Sequence, residues 1–194
     1  MSRTGEIRIM DLIKNIDTRE LMYDTIPEGG VGAELGVCRG VNAVQLFFRA
    51  KPSLLFLVDT WEEDKDFARG RNPNLWTGDH SESVKNIFEK EIKQGIVAVH
   101  KKFSTSFLAD LPDNSLDWVY IDTNHQYQCV SREIDLSVKK VRQGGYIMGH
   151  DYFSNPQEWG TSIIRAVNER IQNGDIVMEV ITSEVWPSYL TRVL

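Results

Sequence analysis

From residue 31 onward, short apolar runs of strand length alternate with longer segments of helical character, and this alternation constrains the fold more than any other feature of the chain. Strands separated by helix-length connections must pair in parallel, because a parallel neighbour needs a crossover, and the helices then cover both faces of one sheet. The strand candidates are residues 31–35, 54–58, 96–99, 116–121, 145–149, 176–181 and 189–193. Helices are expected over 41–49, 80–93, 128–141 and 161–172. Residues 54–58 are continuously apolar, as in a strand buried on both faces. The segment between the last two strands contains Pro187 and is too short for a crossover helix, so this pair is expected to be antiparallel. In the helix over 128–141, Val130, Ile134, Leu136, Val138 and Val141 form an apolar stripe, best explained by packing on the sheet.

With 194 residues the chain can build one full core, so a single α/β domain over 31–194 is expected. It is preceded by an N-terminal helical arm, residues 1–30, with helical patterns at 9–16 and 18–23 and a stop at Pro27-Glu28-Gly29-Gly30. The 22 Lys and Arg against 28 Asp and Glu give a formal charge of −6, which supplies no basic footprint for a phosphate backbone, so nucleic acid is disfavoured as a partner. Cys38 and Cys129 are the only cysteines; they suit neither a disulfide framework nor a zinc cluster and fit a reducing cytoplasm. Arg3, Glu6, Arg8, Asp11 and Lys14 break up the first residues, so they are not read as a signal peptide, and no apolar run is long enough to span a membrane.

The end of the first strand carries Glu34-Leu35-Gly36-Val37-Cys38-Arg39-Gly40, directly before a helix. Gly36 permits a sharp turn and close approach of a ligand, and Gly40 permits tight entry into the helix. Glu34 argues against a pyrophosphate at this turn, where a carboxylate would repel it, and for a ligand bearing a positive α-amino group. The Gly-x-x-x-Gly spacing also departs from the dinucleotide fingerprint. At the end of the second strand Asp59, followed by Thr60, is placed to accept both hydroxyl protons of a ribose. Together these residues describe a site for an adenosine ligand without phosphate.

These segments, together with Leu116 to Asp122 and Gly144 to Tyr152, resemble class I S-adenosylmethionine-dependent methyltransferases. Within that class the chain is similar to methyltransferase family 24, relatives of sugar and macrolide O-methyltransferases. The resemblance covers roughly residues 30–194 and rests most on Ile121-Asp122-x-x-His125-x-Tyr127 and Gly149-His150-Asp151-Tyr152, with Val185-Trp186-Pro187-Ser188-Tyr189 also similar. It implies a Rossmann-like, seven-stranded, mostly parallel sheet with its last strand antiparallel. It also implies that Glu34 and Gly36 hold the methionine end of the cofactor and that Asp59 holds the ribose, with Gly40 and Thr60 counted among the cofactor-binding residues. Where the family carries an acidic residue near the adenine, this chain has Lys102-Phe103-Ser104-Thr105, so Phe103 is assigned to pack on the ring and Ser104 to its amino group.

Asp122, His150 and Asp151 stand at the carboxyl ends of two adjacent strands, with His125 just beyond. Asp122, which also borders the cofactor, could join His150 and Asp151 in holding Mg2+ or Mn2+, as metal-dependent O-methyltransferases of similar sequence do at these strand ends. His125 is the candidate general base, making Asp122, His125 and Asp151 the catalytic set. A strand-capping role for His150 and a backbone-orienting role for Asp122 are the plain alternatives. Substrate contacts are sought in the long irregular segment 60–79, read as a mobile lid with Trp61, Arg69, Arg71 and Trp76, and at Tyr127, Tyr152 and Trp159.

The expected reaction is O-methylation of a small-molecule hydroxyl on a sugar-like or polyol-like acceptor. A metal-dependent hydrolase built on the same Asp and His cluster, or a non-catalytic S-adenosylmethionine-binding protein, are the alternatives; a homodimer is admitted without any residue demanding it. An NAD-dependent oxidoreductase is disfavoured by the missing phosphate-cradling glycines.

Overall fold

The computed structural model describes residues 13–62, 79–153 and 160–194. In chain order the elements are β1 (Lys14–Ile16), α1 (Arg19–Tyr23), β2 (Val31–Leu35), α2 (Val41–Ala50), β3 (Leu54–Asp59), α3 (Ser81–Ile87), α4 (Glu89–Lys93) and β4 (Val97–Lys101). They continue as α5 (Ser104–Asp110), β5 (Leu116–Ile121), α6 (Tyr127–Lys140), β6 (Val141–Gly149), α7 (Gly160–Gln172), β7 (Ile176–Thr182) and β8 (Tyr189–Val193). One sheet collects all the strands in the order β1-β7-β8-β6-β5-β2-β3-β4. Every pairing is parallel except those of β8, which runs antiparallel to both β6 and β7.

The alternation of side chains along each strand divides the core in two. Ala33, Leu35, Val119, Ile121 and Ile147 face α5, α6 and α7, where Phe107, Leu108, Val130, Ile134, Ala166 and Val167 meet them. On the opposite face Leu55, Leu57, Trp118, Tyr120 and Met148 pack under α1, α2 and α3 through Met22, Tyr23, Leu46, Ala50 and Val84. Each fully buried large apolar side chain contributes about 1.5–3 kcal/mol relative to exposure.

Two expectations are corrected, and one unforeseen helix is added. The sheet has eight strands, because residues 14–16, read as the end of a helix, form an edge strand parallel to β7. Its backbone partners lie more than 160 positions away, with Ser183 N donating to Ile16 O, so local periodicity could not reveal it. The single helix over 80–93 is broken at Phe88, whose buried ring packs edge-on against Phe47 at 5.7 Å. The helix α5, with only Phe107 and Leu108 buried in a span of 7 residues, is too short to show a period.

Strand order reverses between β2 and β5, and at such a switch point the loops leaving the two strands diverge and open a crevice at their carboxyl ends. Among the described residues neither Cys38 nor Cys129 is in a disulfide. Among the described residues no helix is long and apolar enough to cross a membrane.

Candidate active site

The turn after β2 is shaped by backbone that few side chains tolerate. Gly36 has φ +90°, and a Cβ there would lie 2.0 Å from the carbonyl oxygen of Asp122, so the turn can approach the β5 end only through glycine. Cys38 follows at φ 51° and Gly40 caps α2 at φ 81°. Asp59 fixes the same turn: its Oδ2 accepts from Cys38 N at 2.8 Å and its Oδ1 from Trp61 N at 2.8 Å. A carboxylate offers about four acceptor positions, so two remain for a pair of hydroxyls. Thr60 Oγ1 accepts from Glu62 N at 3.3 Å.

Glu34 lies fully buried beneath this turn. Its Oε1 accepts from Asn42 Nδ2 at 3.0 Å, while Oε2 has no hydrogen-bond partner among the described residues. Burial raises the carboxyl pKa to about 8; the Asn42 bond opposes that rise, and the fields of Asp122 and Asp59 add to it. An orphaned buried carboxylate oxygen is costly, and a cationic ligand group is the partner that relieves the cost most fully.

Beyond β5 and β6, ligand atoms of Asp122, His125 and Asp151 all lie within 4.8 Å of one another. His125 Nε2 is 2.7 Å from Asp151 Oδ2 and 3.7 Å from Asp122 Oδ1. Burial opposes charge on this imidazole, but the hydrogen bonds and fields of Asp122 and Asp151 outweigh it and raise its pKa to about 9. Asp151 holds its place with φ 59°, a left-handed conformation of the kind stored at functional sites. The cluster opens onto a cleft lined by Asp122, Thr123, Asn124, His125 and His150.

The set expected for catalysis, Asp122, His125 and Asp151, is thus brought together, and His150, expected beside Asp122 and Asp151 as a metal ligand, falls outside it. His150 Nε2 accepts from Arg19 Nη2 at 3.3 Å; a guanidinium can only donate, so Nδ1 carries the ring hydrogen toward Ser188 Oγ at 3.1 Å. Burial, joined by Arg19, lowers the His150 pKa, and the ring is neutral. His125, by contrast, sits between two carboxylates and holds a proton at neutral pH.

Trp61, expected at the substrate, is buried, with Nε1 donating to Cys38 O at 2.8 Å, and so clamps the glycine turn from below. Tyr127 and Tyr152 likewise give their hydroxyls to α7, to Glu169 and to Asn168 at 2.9 Å, with Arg165 lying 4.0 Å over the Tyr127 ring. These tyrosines pin α7, so toward a substrate their hydroxyls could act only as acceptors. Phe103 is exposed at the start of α5, as packing on a ligand ring requires. The Ser104 hydroxyl donates to buried Glu133, which Thr123 Oγ1 also contacts, and this leaves the Ser104 oxygen able to accept from an adenine amino group. Arg69, Arg71, Trp76 and Trp159, and most of the expected lid, lie outside the described residues.

Sequence reasoning missed Arg19, Asn42, Glu133 and Ser188. Arg19 reaches both His150 and Glu184 Oε1, at 3.6 Å, from a segment read only as an arm. Only Asn42 left a local signal, as a polar residue in the first turn of the helix that follows the glycine turn.

An open, mostly parallel sheet with a glycine turn and an acidic strand tip at its switch point defines a nucleotide-type α/β domain. Residues 33–152 match the family of methyltransferase domains numbered 24, and the chain belongs to that family. A curated relative, Uncharacterized protein R132 of Acanthamoeba polyphaga mimivirus, is 32% identical over 105 residues, covering 52% of this chain and 46% of that protein. The chain thus matches about half the length of that relative. Among solved structures, SMU.1697c of Streptococcus mutans in complex with SAH aligns over 98% of this chain and 100% of its own, with 9% identity and TM-score 0.61. The geranyl diphosphate C-methyltransferase of Streptomyces coelicolor, in complex with Mg2+, a substrate analogue and S-adenosyl-L-homocysteine, covers 91% and 74% at 8% identity and TM-score 0.63. The tRNA methyltransferase TrmK of B. subtilis covers 92% and 67% at 12% identity and TM-score 0.60. At such identities the likeness is one of fold.

Proposed function

We propose that the protein is an S-adenosylmethionine-dependent O-methyltransferase acting on a hydroxyl of a small, sugar-like or polyol-like molecule. The observation that carries this reading is the adjacency of two sites: the Asp122, His125 and Asp151 cluster begins where the backbone of Asp122 touches Gly36 of the donor turn. A donor held by Glu34 and Asp59 would present its methyl group to an acceptor held at the cluster.

Methyl transfer from a sulfonium is an in-line displacement. The acceptor oxygen forms its bond to the methyl carbon as the carbon–sulfur bond breaks, S-adenosylhomocysteine leaves, and the hydroxyl proton must go to a base. Two carboxylates and one imidazole within 4.8 Å fit a divalent cation with open positions. Asp122, His125 and Asp151 would hold it, and a bound Mg2+ or Mn2+ would polarise the acceptor hydroxyl and lower its pKa. Without it, His125 can accept the hydroxyl proton only after shedding its own, which its pKa of about 9 places in alkaline solution. Asp151 and Asp122 orient the ring and stabilise the imidazolium formed. His150, fixed neutral between Arg19 and Ser188 with both ring nitrogens engaged, shapes the wall of the cleft.

The net charge of −6 favours a small acceptor over a nucleic acid. Labelled S-adenosylmethionine incubated with a panel of sugars and polyols, with and without chelator, tests the proposal. Label transferred to a hydroxyl oxygen supports it. Transfer only to nitrogen, carbon or RNA, or no cofactor binding, refutes it.

A further inference from the structure

Helix α1 lies before the region that matches the methyltransferase family, residues 33–152. It nonetheless reaches the most deeply buried acid of the site. Tyr23, itself fully buried, donates its hydroxyl to Asn42 Oδ1 at 2.7 Å, and Asn42 Nδ2 donates to Glu34 Oε1 at 3.0 Å. With Glu34 ionised, as a cationic ligand would have it, the direction of this relay follows: a carboxylate only accepts, so Nδ2 of Asn42 must face Glu34, and Oδ1 is left to accept from the Tyr23 hydroxyl. Burial and the neighbouring Tyr120 raise the Tyr23 pKa, so the phenol remains a donor throughout the working range. The Tyr23 ring is held edge-on to Tyr120 at 5.6 Å and 85°, which fixes where that hydroxyl points.

The result is a carboxylate with one oxygen held and the other left over. Glu34 Oε1 is engaged by Asn42, while Oε2 is buried with no partner among the described residues. The two further acids that act on Glu34, Asp59 and Asp122, stand at the tips of β3 and β5, on either side of the donor turn. Arg19 opposes them as the smallest of the three fields on Glu34, so the negative charge prevails at this point, and the group that completes it should be a cationic donor of hydrogen bonds.

We infer that Tyr23 and Asn42 are positioning residues for the methyl donor: they lock Glu34 so that Oε2 meets the α-ammonium of the donor's amino-acid head, making α1 part of the cofactor site. The inference rests on the reading of Glu34 as the methionine-end ligand. It goes beyond that reading by assigning selectivity for the amino-acid head to a hydrogen-bond relay that begins outside the matched family region.

Two ligands separate a positioning role from a structural one. S-adenosylhomocysteine carries the amino-acid head, and methylthioadenosine has the same adenosine and thioether without it. Calorimetry on the full chain should show Tyr23→Phe weakening S-adenosylhomocysteine by about fivefold, the worth of one hydrogen bond, with methylthioadenosine unchanged within about twofold. Asn42→Ala, which removes the donor to Glu34 directly, should show at least the same selective loss. Tyr23→Phe in a Glu34→Gln background should add nothing further, because the charge being positioned is gone. Equal loss for both ligands, or no loss for either, overturns the inference while leaving the donor site standing. If the unaltered protein binds methylthioadenosine as well as S-adenosylhomocysteine, or binds neither, the Glu34 reading fails and the relay's role falls with it. Circular dichroism and melting of Tyr23→Phe and Asn42→Ala identify any variant that fails to fold, and the ratio of the two affinities in the folded variant decides.

Discussion

Replacing Glu34 with Gln should make the ligand-free protein more stable at alkaline pH while weakening donor binding, and the size of the gain follows from the carboxyl's surroundings. Burial lifts its pKa from the ordinary 4.5 to about 8, and at about 1.4 kcal/mol per pH unit this displacement amounts to about 5 kcal/mol. Below pH 4.5 the group is protonated in both folded and unfolded chains and contributes nothing. As pH rises, the unfolded chain ionises while the folded one keeps its proton, so stability is lost progressively until about pH 8 and is constant above it. The ceiling on the penalty is thus about 1.4 kcal/mol at pH 5.5 and about 5 kcal/mol at pH 8.5. Glutamine does not titrate, and its Oε1 can still accept from Asn42. With partial relaxation around the charge, Glu34→Gln should exceed the unaltered protein by about 2–5 kcal/mol at pH 8.5 and by about 1 kcal/mol or less at pH 5.5. Urea unfolding of both proteins at the two pH values measures this, and calorimetry should show the same variant losing S-adenosylhomocysteine affinity by about tenfold or more. A stability difference that does not change with pH, or an unaltered protein that is the more stable at pH 8.5, would refute the argument that Glu34 is a desolvated acid held for a cationic ligand.

Gly36→Ala should cost about 3 kcal/mol or more and abolish cofactor binding, because its Cβ would meet Asp122 O at 2.0 Å on a backbone with φ +90°; melting and calorimetry read both effects. Trp61→Phe should cost about 1 kcal/mol by losing the bond to Cys38 O, and should weaken cofactor binding through a loosened turn. In chelator, turnover should rise with pH through about 9 as His125 loses its proton; saturating Mg2+ or Mn2+ should move the rise to lower pH, and a pH–rate profile with its midpoint near 6.5 in chelator would show that Asp122 and Asp151 do not hold the imidazole. His125→Ala should abolish the alkaline route.

The parts of the fold legible in the sequence are those fixed by neighbours in the chain. The bounds of β2, β5 and β8 coincide with their apolar runs, because a buried strand needs continuous or alternating hydrophobicity and its ends need turns. The turn at Gly36 and the tip at Asp59 were legible because backbone geometry there demands those residue types. The edge strand β1 was not, since Lys14 and Asn15 bond to an edge formed by β7 and carry no periodic signal of their own. The trio Asp122, His125 and Asp151 was legible, because all three stand at or just beyond the ends of two adjacent strands. The surroundings of His150 were not, since they depend on Arg19, 131 positions away, whose guanidinium donates to its Nε2. Trp61, Tyr127 and Tyr152 show the same limit: an aromatic residue near a site reads alike whether it faces the ligand or braces the loop that does.

The distribution of charge explains why these distant contacts gather at one sheet edge. Glu34, Asp59, Asp122 and Asp151 converge on the crevice from β2, β3, β5 and β6, and four carboxylates so placed repel one another. The chain answers with one fixed cation and two protons. Arg19 is charged despite its burial, in the field of Glu184 and Asp122. His125 keeps a proton up to about pH 9 between Asp151 and Asp122, and Glu34 keeps one up to about pH 8. Those two protons sit where the proposed chemistry puts other positive charges: the ammonium of the donor at Glu34 and a divalent cation, or the acceptor's own proton, at His125. A site balanced by exchangeable protons can fold without its ligands and still offer them full carboxylate charge on binding. Apolar replacements would stabilise the fold but remove that exchange, which is why a small domain keeps so costly a cluster of acids within its crevice.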